Sequence, residues 1–191
     1  MANKILDALK SEFTPKGQLK SVRWYQDQVR SLSNVTPNSL MANKERLVTN
    51  LSPGFMYLYF YDPKYKETLP YYDTFPLCLP FKTTPEGFYG LNFHYLPYQA
   101  RMGLLSRLME FRSNNKMDEK TKIMASWKIL QQASTISFVK PAVHQYLYAH
   151  VRSRYMKINA NEWATSIMLP IQQFEKATDT KVWADSRKKM G

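Results

Sequence analysis

The sequence is poor in the residues that build cross-links, metal centres and phosphate loops. It holds one cysteine, Cys78, and three separated histidines, His94, His144 and His150, in 191 residues. A single thiol cannot close an internal disulfide, which fits a protein made in reducing conditions. No CxxC or HExxH spacing is present to hold zinc. Six glycines occur, none in GxGxxG or GxxxxGK[ST] spacing, so the Gly-rich loops that cradle phosphates are missing. There is no GxSxG nucleophile elbow. No apolar run approaches the roughly 18–20 residues that cross a bilayer. The opening MANKILDALKSEF is charged and amphipathic, without the core or cleavage site of a signal peptide. Acids are scarce too, 15 Asp and Glu against 27 Lys and Arg, for a net charge of +12.

What is present is base and aromatic. Residues 101–191 carry 16 bases and 7 acids, whereas residues 51–100 carry 3 and 4. Such a balance is the electrostatic footprint of a polyanion binder. An acidic protein partner, or a face that is simply solvated, would be served by the same charge. Thirteen Tyr, ten Phe and four Trp supply large apolar faces with polar tips, suited to cores and to interfaces alike.

Periodicity predicts an α+β fold in one domain, residues 1–191, with three sections. Residues 1–50 hold helices over Lys4–Phe13 and Gly17–Ser33, then a polar arm, Asn34–Asn50, expected to pack on a partner. Residues 53–97 hold strand-like runs at Phe55–Tyr61, Phe75–Phe81 and Phe88–Tyr95 between turn signals, predicting a small irregular antiparallel sheet of three or four strands, curled towards an SH3-like shape. Pro70, Pro76 and Pro80 argue against a regular central strand there. Residues 98–191 are expected to be helical at Tyr98–Ser113, Asp118–Ser134, Ala142–His150, Ala160–Leu169 and Asp179–Met190. Trp127 and Trp163 are expected as helix-packing anchors, and Trp183 beside the basic C-terminus.

Asp62, Asp73 and His94 share the aromatic section and offer one imaginable base and orienter, although Asp in such YDP and YYDTFP contexts more often caps a turn. His144 and His150 do not share a helical face, and Cys78, in a Leu-Cys-Leu run, reads as a small buried hydrophobe. No catalytic residue, metal ligand or cofactor is therefore assigned. Binding has better candidates. Arg152, Arg154 and Lys157 enclose Tyr155 in a loop between helices, with Lys140 nearby and Arg187, Lys188 and Lys189 at the last helix end; cations of this kind neutralise phosphates, and the tyrosine could stack on a base. Arg101, Arg107 and Arg112 read as the solvated face of a helix whose other side is apolar; Lys120, Lys122 and Lys128 lie on the next. Tyr57, Tyr59 and Tyr61 alternate on one side of a strand, followed by Tyr65; with Tyr71 and Tyr72 these aromatics suit a core or a protein interface better than a phosphate track.

The strings Pro53-Gly54-Phe55-Met56-Tyr57, Tyr61-Asp62-Pro63-Lys64, Thr68-Leu69-Pro70-Tyr71-Tyr72-Asp73 and Phe75-Pro76 are distinctive, as are Gly90-Leu91-Asn92-Phe93-His94-Tyr95-Leu96-Pro97, Phe174-Glu175-Lys176-Ala177, Lys181-Val182-Trp183 and Ser186-Arg187. Over roughly residues 20–190 the chain resembles the DNA end protectors of T-even-like contractile-tailed phages. The resemblance implies a virion protein, assembled in the host cytoplasm, that sits on packaged DNA termini and shields them from host exonuclease. It implies no catalytic residues and transfers no specific contacts. The main expectation is thus a non-enzymatic head-completion or neck protein whose partners are double-stranded DNA ends and other phage structural proteins, with no membrane. A tail, neck or baseplate subunit docking an acidic partner stands second, and a nuclease-like enzyme using Asp62, Asp73 and His94 third.

Overall fold

The structure, a computed structural model, describes residues 19–52, 55–112 and 137–191. The helices expected at Lys4–Phe13 and Asp118–Ser134, with Trp127, Lys120, Lys122 and Lys128, lie outside the described residues.

Local chemistry sets the helix starts. Helix α1, Val22–Arg30, begins where the Ser21 hydroxyl accepts the Trp24 N–H at 3.2 Å, and it buries Val22, Tyr25 and Val29. It is shorter than the Gly17–Ser33 expected. The stretch read as an extended polar arm forms regular elements. Thr36 and Ser39 form a reciprocal capping box around Pro37, starting α2, Pro37–Met41. Leu40 is buried, and β1, Leu47–Val48, joins the main sheet. Arg46 then clamps Glu162 through both guanidinium nitrogens. The Glu162 side chain is fully buried and also accepts the Asn159 N–H at 2.9 Å. The arm's partner is its own fold.

The remaining strands are β2 Met56–Leu58, β3 Tyr72–Asp73, β4 Leu77–Thr83, β5 Gly87–Asn92, β6 Val143–Leu147, β7 Tyr155–Ile158 and β8 Phe174–Glu175. Six make one antiparallel sheet in the order β1-β7-β2-β4-β5-β6, and β3 pairs with β8 apart from it. The sheet therefore draws on all three sequence sections. Period-2 alternation gives it two faces. Met56, Leu58, Leu77, Leu79 and Leu91 enter an aliphatic core shared with the helices, while Tyr57, Tyr59, Tyr61, Cys78, Phe88, Tyr146 and Tyr155 form an aromatic core on the other side. Tyr61 bridges Val151, and its hydroxyl accepts the Leu147 N–H at 3.1 Å, which ties the chain after β2 to the edge strand β6.

The proline reading holds only as an irregularity, and one expected helix fails, each for an identifiable reason. Pro80 does lie in a central strand, β4. By that point β2 has ended, having paired only with Leu77 and Cys78, and the pairing with β5 slips between Pro80 and Lys82. The missing N–H thus falls where the ladder is irregular. Ala142–His150 is β6 followed by the 3-10 turn Tyr148–His150, not an α-helix. The reason lies on the facing strand, where a Cβ at Gly87 would sit 1.9 Å from the Tyr146 carbonyl oxygen. Gly90 leaves room for the other neighbouring strand, β4, since its Cβ would meet Cys78 Sγ at 2.3 Å.

The helices after the sheet are α3 Tyr98–Arg112, α4 Trp163–Ser166 and α5 Asp179–Met190. α3 and α5 fall where expected; Ala160–Leu169 holds a 3-10 turn, Ala160–Glu162, and then the short α4, which ends at Ser166. Trp163 is buried as an anchor, its indole N–H donating to Ile158 O at 3.0 Å. No described helix is long and apolar enough to cross a membrane.

Candidate nucleic-acid interface

The cations proposed from the sequence divide into engaged and open ones. Arg152 lies 3.4 Å from Asp62, which also takes the Lys66 ammonium at 2.9 Å. That Lys66 bond, with Arg152 behind it, holds the Asp62 carboxyl below the usual carboxylate range. Lys157 projects over the Phe55 ring, Nζ 3.7 Å from its centre. Arg154 is exposed with no carboxylate in ion-pair reach among the described residues. Tyr155 is not in a loop. It opens β7 and alternation turns it into the aromatic core, edge-on to Tyr59 at 5.2 Å, so its ring is not available for stacking on a ligand.

Lys140 and the end of α5 form the clearer cluster. Lys140 is exposed on the 3-10 segment Ser137–Ala142, against which α5 packs. Arg187, Lys188 and Lys189 are exposed in the last turn of α5, where cations complement the carbonyl end of the helix. Among the described residues none of these four is paired with a carboxylate. The nearest acid, Asp185, is taken by Lys181 at 2.8 Å.

Arg101 departs most from the sequence reading. It is fully buried, not solvated. Its guanidinium donates to Leu96 O at 2.7 Å, Ile167 O at 2.8 Å and His94 O at 3.2 Å. It packs 4.5 Å from the centre of Tyr98 and 5.4 Å from that of Trp183, whose indole N–H donates to the same His94 carbonyl at 2.8 Å. Burial lowers its pKa to about 10, which leaves it charged at neutral pH. The side chains of Arg107 and Arg112 lie outside those described.

Asp73 and His94 do meet, His94 Nδ1 to Asp73 Oδ2 at 2.7 Å, but both side chains are buried. Asp62 stands at the surface with Lys66 and Arg152, so the three-residue constellation does not assemble. Asp73 also accepts the Asn92 amide at 3.0 Å, the Phe75 N–H at 3.0 Å and the Gln173 N–H at 3.2 Å. Burial alone pushes its carboxyl up; His94 and these donors outweigh that and bring it down. Burial also depresses the His94 pKa against the pull of Asp73. The neutral ring therefore donates from Nδ1, and the pair works as an internal strut joining β3, β5 and the chain before β8. Cys78 is buried, with burial pushing its thiol up. Among the described residues no three of His, Cys, Asp and Glu gather to hold a metal ion.

The tyrosines proposed as an interface separate as well. Tyr57 and Tyr59 belong to the aromatic core. Tyr61, Tyr71 and Tyr72 line two adjoining hollows of about 260 and 200 Å³, which share Leu69, Tyr95 and His144 as a common floor. Lys64 and the 63% exposed Tyr65 border the first hollow, and Lys189 borders the second. The His144 ring lies 4.0 Å from that of Tyr95 and is fixed by its Nε2 contact to Pro141 O at 2.9 Å. Burial lowers its pKa to about 4, so it is neutral at physiological pH. Sequence reasoning found the last turn of α5 and Lys140 but not this groove, because its walls come from three separated stretches of chain.

The profile of the family described as "Phage T4 terminal DNA protecting protein" matches residues 1–186. The chain belongs to that family. No curated protein and no solved structure matches it. Membership agrees with the resemblance carried by the aromatic strings, and it places this fold among phage proteins that protect terminal DNA. The groups that the nuclease reading requires together, Asp62, Asp73 and His94, are divided between the core and the surface.

Proposed function

We propose that this chain binds the ends of packaged phage DNA through its basic surface and shields them without chemistry of its own. The observation that carries the reading is the cluster of Lys140 with Arg187, Lys188 and Lys189. These are four exposed cations on adjoining elements with no carboxylate in ion-pair reach among the described residues, in a member of a terminal-DNA-protecting family. Arg154 extends the surface; Arg152 contributes once a phosphate replaces Asp62, and Lys157 stays committed to Phe55. The chain acts as a single domain in the virion at head completion, near the neck and alongside other structural proteins, after assembly in the host cytoplasm.

Competition between linear duplex and closed circles of the same sequence tests this. Linear DNA is expected to compete better in proportion to its ends. The variant Lys140→Ala/Arg187→Ala/Lys188→Ala/Lys189→Ala should weaken binding to all DNA. It should also flatten the plot of log K against log salt by about 0.9 for each phosphate that is no longer neutralised. Circles competing as well as linear DNA would remove the end-binding claim.

A further inference from the structure

Cations alone do not tell a DNA end from its interior, because every phosphate along a duplex offers the same charge. An end differs in exposing the face of its last base, which nothing covers. The groove built from the two hollows has the parts to read that difference. We propose that it takes the terminal, unpaired nucleotide of a DNA strand, the base against its tyrosines and the flanking phosphates on Lys64 and Lys189. This rests on the end-binding reading above and assigns it a recognition site.

Three observations carry the proposal. The walls are aromatic, with Tyr65 standing out into solvent at 63% exposure and Tyr71 and Tyr72 half-buried below it. Stacking on such rings tolerates any base. Each hollow carries a cation, Lys64 on the first, its Nζ 5.3 Å from the centre of the Tyr65 ring, and Lys189 on the second, so a backbone entering either meets positive charge. Lys189 also belongs to the open cluster on α5, which makes the groove continuous with the surface proposed to hold the duplex. The hollows, at about 260 and 200 Å³, have the scale of a small-ligand site and not of a duplex. The one carboxylate that lines them, Asp73, has its oxygens taken by Asn92, His94 and two backbone N–H groups, and its charge is coupled to that of the buried Arg101.

The test uses the full chain and a duplex with a one-nucleotide overhang whose last base is 2-aminopurine. Binding should quench the terminal fluorophore, and the same fluorophore set inside a closed circle should not change. Tyr65→Ala and Lys64→Gln alter exposed side chains, and an unchanged thermal midpoint will confirm that each variant is folded. Tyr65→Ala should abolish the quench and lower the preference for ends over circles by about tenfold, leaving circle affinity unaltered. Lys64→Gln should lower the same preference. A retained end preference with no terminal quench, or with neither variant having an effect, overturns the groove assignment and leaves end binding standing. Quenching of an internal base in a circle also overturns it. Loss of any preference for ends overturns the underlying reading instead.

Discussion

Replacing Arg101 with methionine is expected to destabilise the fold by about 3–5 kcal/mol, measured as a lower urea midpoint. Methionine fills much of the space but donates nothing. Leu96 O and Ile167 O lose their guanidinium partners, while His94 O keeps only the Trp183 indole. A buried carbonyl left without a donor costs about 1–3 kcal/mol. The position also ties together three places: the turn before α3, the end of α4 and the face of α5. Arg101→Lys keeps the charge but presents a compact ammonium in place of a planar fork, and it should fall between the two. A methionine variant as stable as the parent would show that the buried cation is dispensable.

The second large effect concerns Asp73. Asp73→Ala strands the Phe75 N–H and His94 Nδ1 in the protein interior, leaves the Asn92 amide only the Tyr146 hydroxyl, and frees the Gln173 N–H. A loss of about 3–5 kcal/mol is expected from one removed member of a buried charged network. The same region makes the protein acid-sensitive in a defined order. His144 titrates at about 4 when folded and near 6.5 when unfolded. Unfolded chains therefore take up a proton that folded ones refuse, and stability drops as pH falls from 6.5 towards 4. His94, also depressed, acts in the same direction. The Asp73 carboxyl is held below its ordinary 3.8, so its contribution persists above that value and is lost only as pH falls beneath it. Thermal midpoints should decline between pH 7 and pH 4 and decline further below. His144→Gln should flatten the upper part of that curve. A flat profile down to pH 4 would contradict the neutral state of His94 and His144.

How much of this was legible in the chain depends on whether the deciding partner is near in sequence. The alternation Met56-Tyr57-Leu58-Tyr59 announces a strand with two different faces, and α5 runs over the residues its pattern predicts, from the Thr178 cap to Met190. The capping box at Asn159 and Glu162 was equally available. β6 was not, because Val143–Leu147 fits either period and the close approach that admits the strand is at Gly87 on the strand it meets. Arg101 reads as a solvated residue until the carbonyls of Leu96 and Ile167 close over it. In the candidate site, Lys140 and Arg187–Lys189 could be named one by one, but their union depends on α5 packing against Ser137–Ala142. The neutralisation of Arg152 by Asp62, and the inward turn of Tyr155, likewise depend on neighbours distant along the chain.

The most direct measurement is exonuclease digestion of linear duplex in the presence of the full chain. Saturating protein is expected to preserve the DNA from its termini inward at low salt, with protection fading as salt rises and failing for the Lys140/Arg187/Lys188/Lys189 alanine variant. Digestion at the uninhibited rate while the protein remains bound to the DNA would contradict the account.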